Sequence, residues 1–400
     1  MKWPSRLVAL LLLTHPSFAM EDLPEFESVT EEEVQQLEGP DRVGSEYQSD
    51  ILSYMKPELW HYEWLSKPRL LDLSVGSLSA TQFLMDTRLK IHAPLSPHFE
   101  LRFTALDDRD FEKQSRQQIF EFVGWAKPWV GLSLYGNPDF SKRKNDTGVA
   151  LLLRPSHRHE IRIFNTFVDV TRLKRSDAPD TFIEPDLPYA RGIVGRIWSD
   201  REEGKKEFLQ YAFRHETRTR WLFPVEGYVH SYQKTFGSLF FSKLLTPSLR
   251  LNARSQVDHK RESRTPGDDW TTRRWISHAR VLISGLGPRS DWELTAGAMT
   301  ALRWWKRSAG TSISHDLLPM LSLSLPGYSA GQRRDRWNFG VIETIRNSTE
   351  GDAEEFRFSL GYDFQFGDTA TLRLQANGDL DEYGTPRAWE GGNAQLILNF

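Results

Sequence analysis

The chain has 400 residues, a formal net charge of −3 and no cysteine, which excludes disulfides, thiol nucleophiles and thiolate metal sites. After the N-terminus no apolar run approaches the roughly 20 residues that a spanning helix needs, so a helical membrane protein is excluded. A soluble protein and a β-barrel both fit the mean hydropathy of −0.52, and the 14 Trp and 24 Phe favour a barrel with aromatic girdles.

Residues 1–19 predict a cleaved signal peptide. Lys2 and Arg6 form a short basic start, and an apolar stretch runs from Leu7 to Leu13. Ser17-Phe18-Ala19 then places small residues, Ser17 and Ala19, where signal peptidase expects them. We expect cleavage after Ala19 and therefore an exported protein.

Residues 20–68 form a predicted periplasmic segment. Residues 21–40 carry eight acidic side chains and no basic one, whereas the rest of the chain is nearly neutral. Such a run is typical of a solvated, partly disordered tail. A docking segment for a periplasmic partner is the alternative.

Residues 69–400 alternate between apolar and polar side chains with the period of two that indicates β-strands. Polar connections separate the runs, and no long amphipathic helix is predicted among them. The eighteen candidate strands are 69–78, 83–92, 98–107, 118–126, 129–136, 146–154, 159–170, 190–198, 207–225, 236–244, 249–258, 275–284, 292–304, 317–325, 336–346, 355–366, 369–378 and 389–400.

The connections between the candidate strands alternate in length. Short links, such as Thr246-Pro247, alternate with longer polar ones, such as His259 to Arg274, Lys306 to His315 and Thr171 to Tyr189. Outer-membrane barrels have short periplasmic turns and long outer loops. The alternation holds through the chain only if 207–225 is one strand, which is about twice the usual length. Sixteen strands is the alternative count.

The C-terminal strand carries a specific resemblance. Leu396, Leu398 and Phe400 alternate with polar residues, and Phe400 ends the chain. This pattern resembles the C-terminal assembly signal of bacterial outer-membrane β-barrels, although Gln395 stands where that signal often has glycine. The resemblance implies a transmembrane antiparallel up-and-down barrel of about 16–18 strands, embedded in outer-membrane lipid and inserted by the barrel-assembly machinery. A soluble exported β protein remains the alternative.

In a barrel the polar parity would face the lumen, and arginines are frequent on it. An excess of arginine in a pore favours anions. Alternatively, these side chains pair with carboxylates on neighbouring strands and only solvate the wall. The candidate selectivity residues are Arg102, Arg162, Arg250, Arg254, Arg280, Arg303, Arg357 and Arg373.

Other chemistry has little support. Ser277-His278 and Ser314-His315 are adjacent pairs, and neighbours in a strand face opposite sides, so neither forms a nucleophile–base pair. His157 and His159 have no third ligand nearby, and Asp379 and Asp381 suit a solvated loop. We assign no catalytic residue, metal site or cofactor, and no basic stripe suggests nucleic acid.

The sequence is compatible with three functions. The leading hypothesis is an outer-membrane channel for small polar solutes, with a possible preference for anions. The second is a structural or assembly component of an export or surface-polymer system, docked through the acidic N-terminal segment. The third is an outer-membrane hydrolase.

Overall fold

The computed structural model describes residues 69–399 except 80–81, 110–113, 138–145, 157, 168–181, 186–189, 199–206, 224–226, 268, 308–309, 350, 368 and 386–387. The predicted signal peptide, the acidic segment and Phe400 lie outside the described residues. Nineteen strands occupy almost all of what is described. They are β1 (Arg69–Ser79), β2 (Gln82–Ser96), β3 (Phe99–Arg109), β4 (Gln114–Lys127), β5 (Val130–Asn137), β6 (Asp146–Ser156), β7 (His159–Phe167), β8 (Phe182–Pro185), β9 (Ala190–Trp198), β10 (Phe208–Phe223), β11 (Tyr228–Thr246), β12 (Leu249–Thr265), β13 (Asp269–Leu286), β14 (Trp292–Arg307), β15 (Gly310–Ala330), β16 (Arg333–Ser348), β17 (Ala353–Phe366), β18 (Ala370–Asp379) and β19 (Trp389–Asn399).

The strands form one antiparallel sheet that returns to its start. Each strand pairs with the next along the chain, except that β7 pairs with β9, and β1 pairs with both β2 and β19. The short β8 pairs only with the far end of β10, beside β9. Leaving out β8, eighteen strands follow one another around the ring, as the sequence predicts.

The two faces of the ring differ in chemistry. On β4 and β5, Phe122 and Leu132 are 57% and 62% exposed, while Val123 and Ser133, on the opposite face, are buried. We call the exposed, largely apolar side the outer face and the buried side the inner face. Along the ladders, register partners fall on the same face, so the division continues from strand to strand.

The strands from β11 to β16 are longer than the sequence predicts. β11, β13 and β15 have 19, 18 and 21 residues. The expected loop from His259 to Arg274 is wrong, because β12 continues to Thr265 and β13 begins at Asp269. The expected loop from Lys306 to His315 is also wrong, since β14 and β15 are separated only at 308–309.

Within the predicted strand 207–225, residues 208–223 form one continuous strand. β10 covers Phe208–Phe223 and pairs along its length with β11, with a register shift between Glu216 and Thr219. A bulge of this kind lets one long strand follow its neighbour through a change of twist. This continuity supports eighteen ring strands rather than sixteen.

No helix among the described residues is both long enough and apolar enough to cross a membrane.

The closed antiparallel ring satisfies backbone hydrogen bonds between neighbouring strands, and its outer face is apolar. These are the features with which β-strands cross a bilayer. The chain is a transmembrane β-barrel.

Candidate functional site on the inner wall

Charged and amide side chains of the first strand and the last three strands form the seam cluster, which consists of Asp72, Asp363, Arg373 and Gln395. Arg373 Nε donates to Asp363 Oδ1 at 2.7 Å, and Nη2 donates to Oδ2 at 3.0 Å. Arg373 Nη1 also donates to Gln395 Oε1 at 3.3 Å, and Gln395 Nε2 donates to Asp72 Oδ1 at 2.7 Å. A chain of hydrogen bonds therefore crosses β17, β18, β19 and β1 where the ring closes.

A second inner-face cluster is built around Glu121 on β4. Arg162 of β7 and Ser133 of β5 both donate hydrogen bonds to Glu121 Oε1. Arg102 Nη1 lies 3.8 Å from Glu121 Oε2, and Arg102 Nη2 donates to Glu100 Oε2 at 2.8 Å. These two arginines and two glutamates balance in charge, so this part of the wall is nearly neutral.

Small residues allow Arg162 to reach Glu121 across two intervening strands. A Cβ atom on Gly148 would lie 2.1 Å from Tyr135 Cζ, so the Tyr135 ring rests on the glycine backbone. The Tyr135 hydroxyl is 2.7 Å from Thr166 Oγ1, and the Arg162 guanidinium lies 4.7 Å from the ring centroid. The side chains of this region therefore lie along the wall.

Carboxylates toward the far end of β12 are also paired. Arg274 donates to Asp258 Oδ2 from Nε at 3.0 Å and from Nη2 at 2.9 Å. Glu262 accepts from Trp270 Nε1 at 3.0 Å, and Lys260 Nζ lies 2.8 Å from its other oxygen. This end of the inner wall thus carries alternating charges held by neighbours.

The wall formed by β12, β13 and β14 carries four more of the predicted arginines. Arg254 Nη2 donates to Gln256 Oε1 at 3.1 Å, and the Arg303 guanidinium lies 4.8 Å from the Trp305 ring centroid. We call Arg250, Arg254, Arg280 and Arg303 the inner basic stretch.

An apolar inner cluster lies beside the inner basic stretch on β13 to β16. Met299, Leu318 and Ile342 are each only 1% exposed although they lie on the inner face, which a barrel is expected to line with polar side chains. A period of two assigns each face of a strand a single character, apolar or polar. Sequence analysis therefore did not find apolar residues on the inner face. The cluster consists of Ile276, Met299, Ala301, Leu318, Met320 and Ile342.

All eight predicted arginines lie on the inner face, but they fall into two groups. Arg102, Arg162, Arg357 and Arg373 pair with carboxylates, Arg357 with Glu355 Oε1 at 2.5 Å. Their predicted role in selectivity stays a prediction, as does that of the remaining four, the inner basic stretch.

The predicted assembly signal is only partly described. Leu396 and Leu398 are the ladder partners of Leu73 and Leu71 on β1, on the outer face, whereas Phe400 lies outside the described residues. The role of these residues in assembly stays a prediction. Sequence analysis assigns Gln395 no contact, because its hydrogen-bond partners lie on other strands.

Candidate catalytic pairs are separated across the wall. Ser277 Oγ lies 2.8 Å from Ser255 Oγ on the outer face, whereas His278 is on the inner face. Ser314 is buried, and the adjacent His315 bonds Thr300 Oγ1 on the outer face at 2.9 Å. Among the described residues, no three His, Asp or Glu side chains are grouped to hold a metal ion.

No protein-family model matches the chain, and no curated protein sequence matches it either. OccK2 (OpdF) of Pseudomonas aeruginosa is similar in structure, with 9% sequence identity, a TM-score of 0.41 and coverage of 82% of this chain and 95% of that chain. A BenF-like porin from Pseudomonas fluorescens Pf-5 has 9% identity, a TM-score of 0.40 and coverage of 83% and 97%. A bacterial polysaccharide outer membrane secretin has 7% identity, a TM-score of 0.36 and coverage of 84% and 99%. At these values the likeness assigns neither a family nor a solute to the chain.

The chain's own architecture indicates its compartment. An antiparallel ring with an even number of strands, an apolar exterior and a polar interior is characteristic of bacterial outer-membrane proteins. The chain is an outer-membrane barrel.

Proposed function

We propose that this barrel is a channel for small polar solutes across the outer membrane. The observation that carries the proposal is the number of strands in the ring, eighteen, combined with a polar inner face. Barrels of about 16–18 strands are wide enough to leave an aqueous channel. The described side chains at the seam and around Glu121 lie along the wall, which favours an open passage over a filled core.

The inner basic stretch gives the channel a preference for anions. Its four arginines place formal positive charge on the inner face of β12, β13 and β14, which are neighbouring strands. A passing anion would meet this stretch on one side of the lumen. The adjacent apolar inner cluster would contact any uncharged part of the solute.

The orientation follows from the connections. At the end of the barrel where β1 begins, two-residue turns join β2 to β3, β4 to β5, β11 to β12 and β15 to β16. The longest connection, residues 168–189 between β7 and β9, lies at the opposite end, whereas the longest one at the first end is 199–207, between β9 and β10. Short turns are periplasmic and long loops external in outer-membrane barrels. The chain termini and residues 20–68 would then lie in the periplasm.

Planar-bilayer recording of the purified, folded chain tests the channel. We expect stepwise openings, with a reversal potential in a salt gradient that favours chloride over potassium. A folded protein that never opens would exclude a passive channel, and openings that favour potassium would retain the channel but exclude the preference for anions.

The second candidate is a component of an export or surface-polymer system that docks through its N-terminal segment. Eight acidic residues without a basic one between Glu21 and Pro40 favour a basic periplasmic partner. Deletion of residues 21–40 tests this role. If the docking hypothesis is correct, the deletion abolishes co-purification of a periplasmic partner and leaves the conductance of the barrel unchanged. Unchanged co-purification would exclude docking through this segment.

A further inference from the structure

The outer face of β12 and β13 changes from apolar to basic along the strands. Val257 and Trp275 are ladder partners and are 52% and 43% exposed. The next pair on the same face is His259 and Arg273, and Arg261 and Lys306 lie in the following row, on either side of Thr271. We call His259, Arg261, Arg273 and Lys306 the outer basic band.

The position of the band matches the edge of the hydrocarbon layer. The outer face is largely apolar from Leu249 to Val257 on β12, and from Ile283 to Trp275 on β13. Each is a run of nine residues, and about 9–11 tilted residues cross a bilayer core. His259 and Arg273 therefore stand at the first outer-face positions beyond the core, where the polar layer adds roughly 5–8 Å on each side.

The cations of the band have no paired carboxylate among the described residues. Arg261 Nε donates to His259 Nε2 at 3.2 Å, which requires that this histidine nitrogen be unprotonated. Arg261, Arg273 and Lys306 are exposed, and none of them forms an ion pair with the described carboxylates. Asp269, near the tip of β13, is the acidic residue on this face of β12 and β13 beyond the core.

Three fixed positive charges therefore project into the polar layer of the membrane from adjacent strands. Clustered basic side chains at a membrane boundary attract anionic headgroups, and arginine donates hydrogen bonds to phosphate in a fork. We propose that the outer basic band is a binding site for the phosphate groups of outer-leaflet lipid. The site does not depend on conduction, since it lies on the opposite side of the wall from the lumen.

The double variant Arg261→Gln, Arg273→Gln tests the site. The matched control, Arg289→Gln with Arg334→Gln, removes the same charge from exposed turns at the other end of the barrel. Each protein is folded in neutral detergent micelles, with lipid A, with dephosphorylated lipid A or with inorganic phosphate. The temperature at which the folded band disappears on a gel is then measured.

We expect lipid A to raise the unfolding temperature of the unchanged protein and the control. The double variant should lose about two thirds of that rise, because it retains only Lys306 of the three fixed charges. An equal rise in the double variant would overturn the proposal. An equal rise with dephosphorylated lipid or with inorganic phosphate would also overturn it, since the binding would then not be that of a phosphorylated lipid.

Native mass spectrometry of the unchanged chain gives a second measurement that does not depend on a variant folding. The protein should retain lipid A when released from micelles and lose dephosphorylated lipid A of the same acyl content. Equal retention of the two lipids would contradict a site for phosphate.

Discussion

Gln395 Nε2 donates a hydrogen bond to Asp72 Oδ1 at 2.7 Å, which joins two residues 323 positions apart in the chain. Gln395 is fully buried, and its side-chain oxygen accepts from Arg373. It therefore bridges the last strand to the first on the inner face. Gln395 stands where the predicted assembly signal often has glycine, and its side chain makes both hydrogen bonds of this bridge.

Replacing Gln395 with Ala should destabilise the barrel by about 1–3 kcal/mol, because Asp72 and Arg373 each lose a buried hydrogen bond. Unfolding by guanidinium in lipid vesicles measures the effect. Gln332→Ala is the matched control, since Gln332 is exposed in the β15–β16 turn and its backbone oxygen makes the described contact. Equal stability of the two variants would mean that the bridge contributes nothing.

Leu374→Arg should cost about 2–4 kcal/mol, because Leu374 is on the outer face of β18 and a charge there would enter the hydrocarbon core. Tyr383→Arg places the same side chain in the exposed β18–β19 connection and should have little effect. The same vesicle unfolding assay compares them. If Leu374→Arg were as stable as Tyr383→Arg, the assignment of the outer face to lipid would be wrong.

Arg254→Gln combined with Arg303→Gln should shift the reversal potential of the channel toward cations. A unit charge about 8 Å away in water changes an ion's energy by about 0.5 kcal/mol, so each lost arginine lowers local anion occupancy roughly two-fold. Arg334→Gln, at the β15–β16 turn, is the control. A reversal potential that stays constant in the double variant would show that this stretch does not set selectivity.

Gly297→Ala should destabilise the barrel by about 1–3 kcal/mol, because a Cβ atom there would lie 2.5 Å from the Ala279 carbonyl oxygen and 2.9 Å from Arg280 Cα. Backbone atoms cannot move aside as a flexible side chain can. Gly237→Ala, where a Cβ would meet nothing within 4 Å, should be tolerated. Heat-modifiable gel migration compares the two variants, and equal unfolding temperatures would show that β13 can shift without cost.

The strands of the ring could be predicted from the sequence because lipid and lumen demand opposite chemistries on alternate residues. Leu374 is 43% exposed and the adjacent Arg373 is 2% exposed, as the alternation in β18 predicts. The alternation of apolar and polar residues disappears in the parts of the strands that extend beyond the hydrocarbon core. The far half of β12 has polar side chains on both faces, so His259 to Thr265 resembled a loop although it is strand.

The side-chain contacts of the candidate site, unlike the strands, could not be predicted from the sequence. Alternation shows which way Arg373 and Asp363 face but does not give the register that pairs them. Short β8 was missed for a related reason, since four residues are too few to show a period. The burial of Met299 and Leu318 on the inner face was not predicted, because the inner face of a barrel can bury apolar side chains beside its polar ones.

The seam cluster also constrains the order of events in biogenesis. Asp72 lies on the first strand of the ring and Gln395 on the last, so the pair cannot form until the last strand has been synthesised. Until then β1 and the growing end of the sheet both present unpaired backbone edges, which invite aggregation. The nascent chain must therefore be kept from pairing with other chains during export, and completion of the seam cluster marks the moment when that protection is no longer needed.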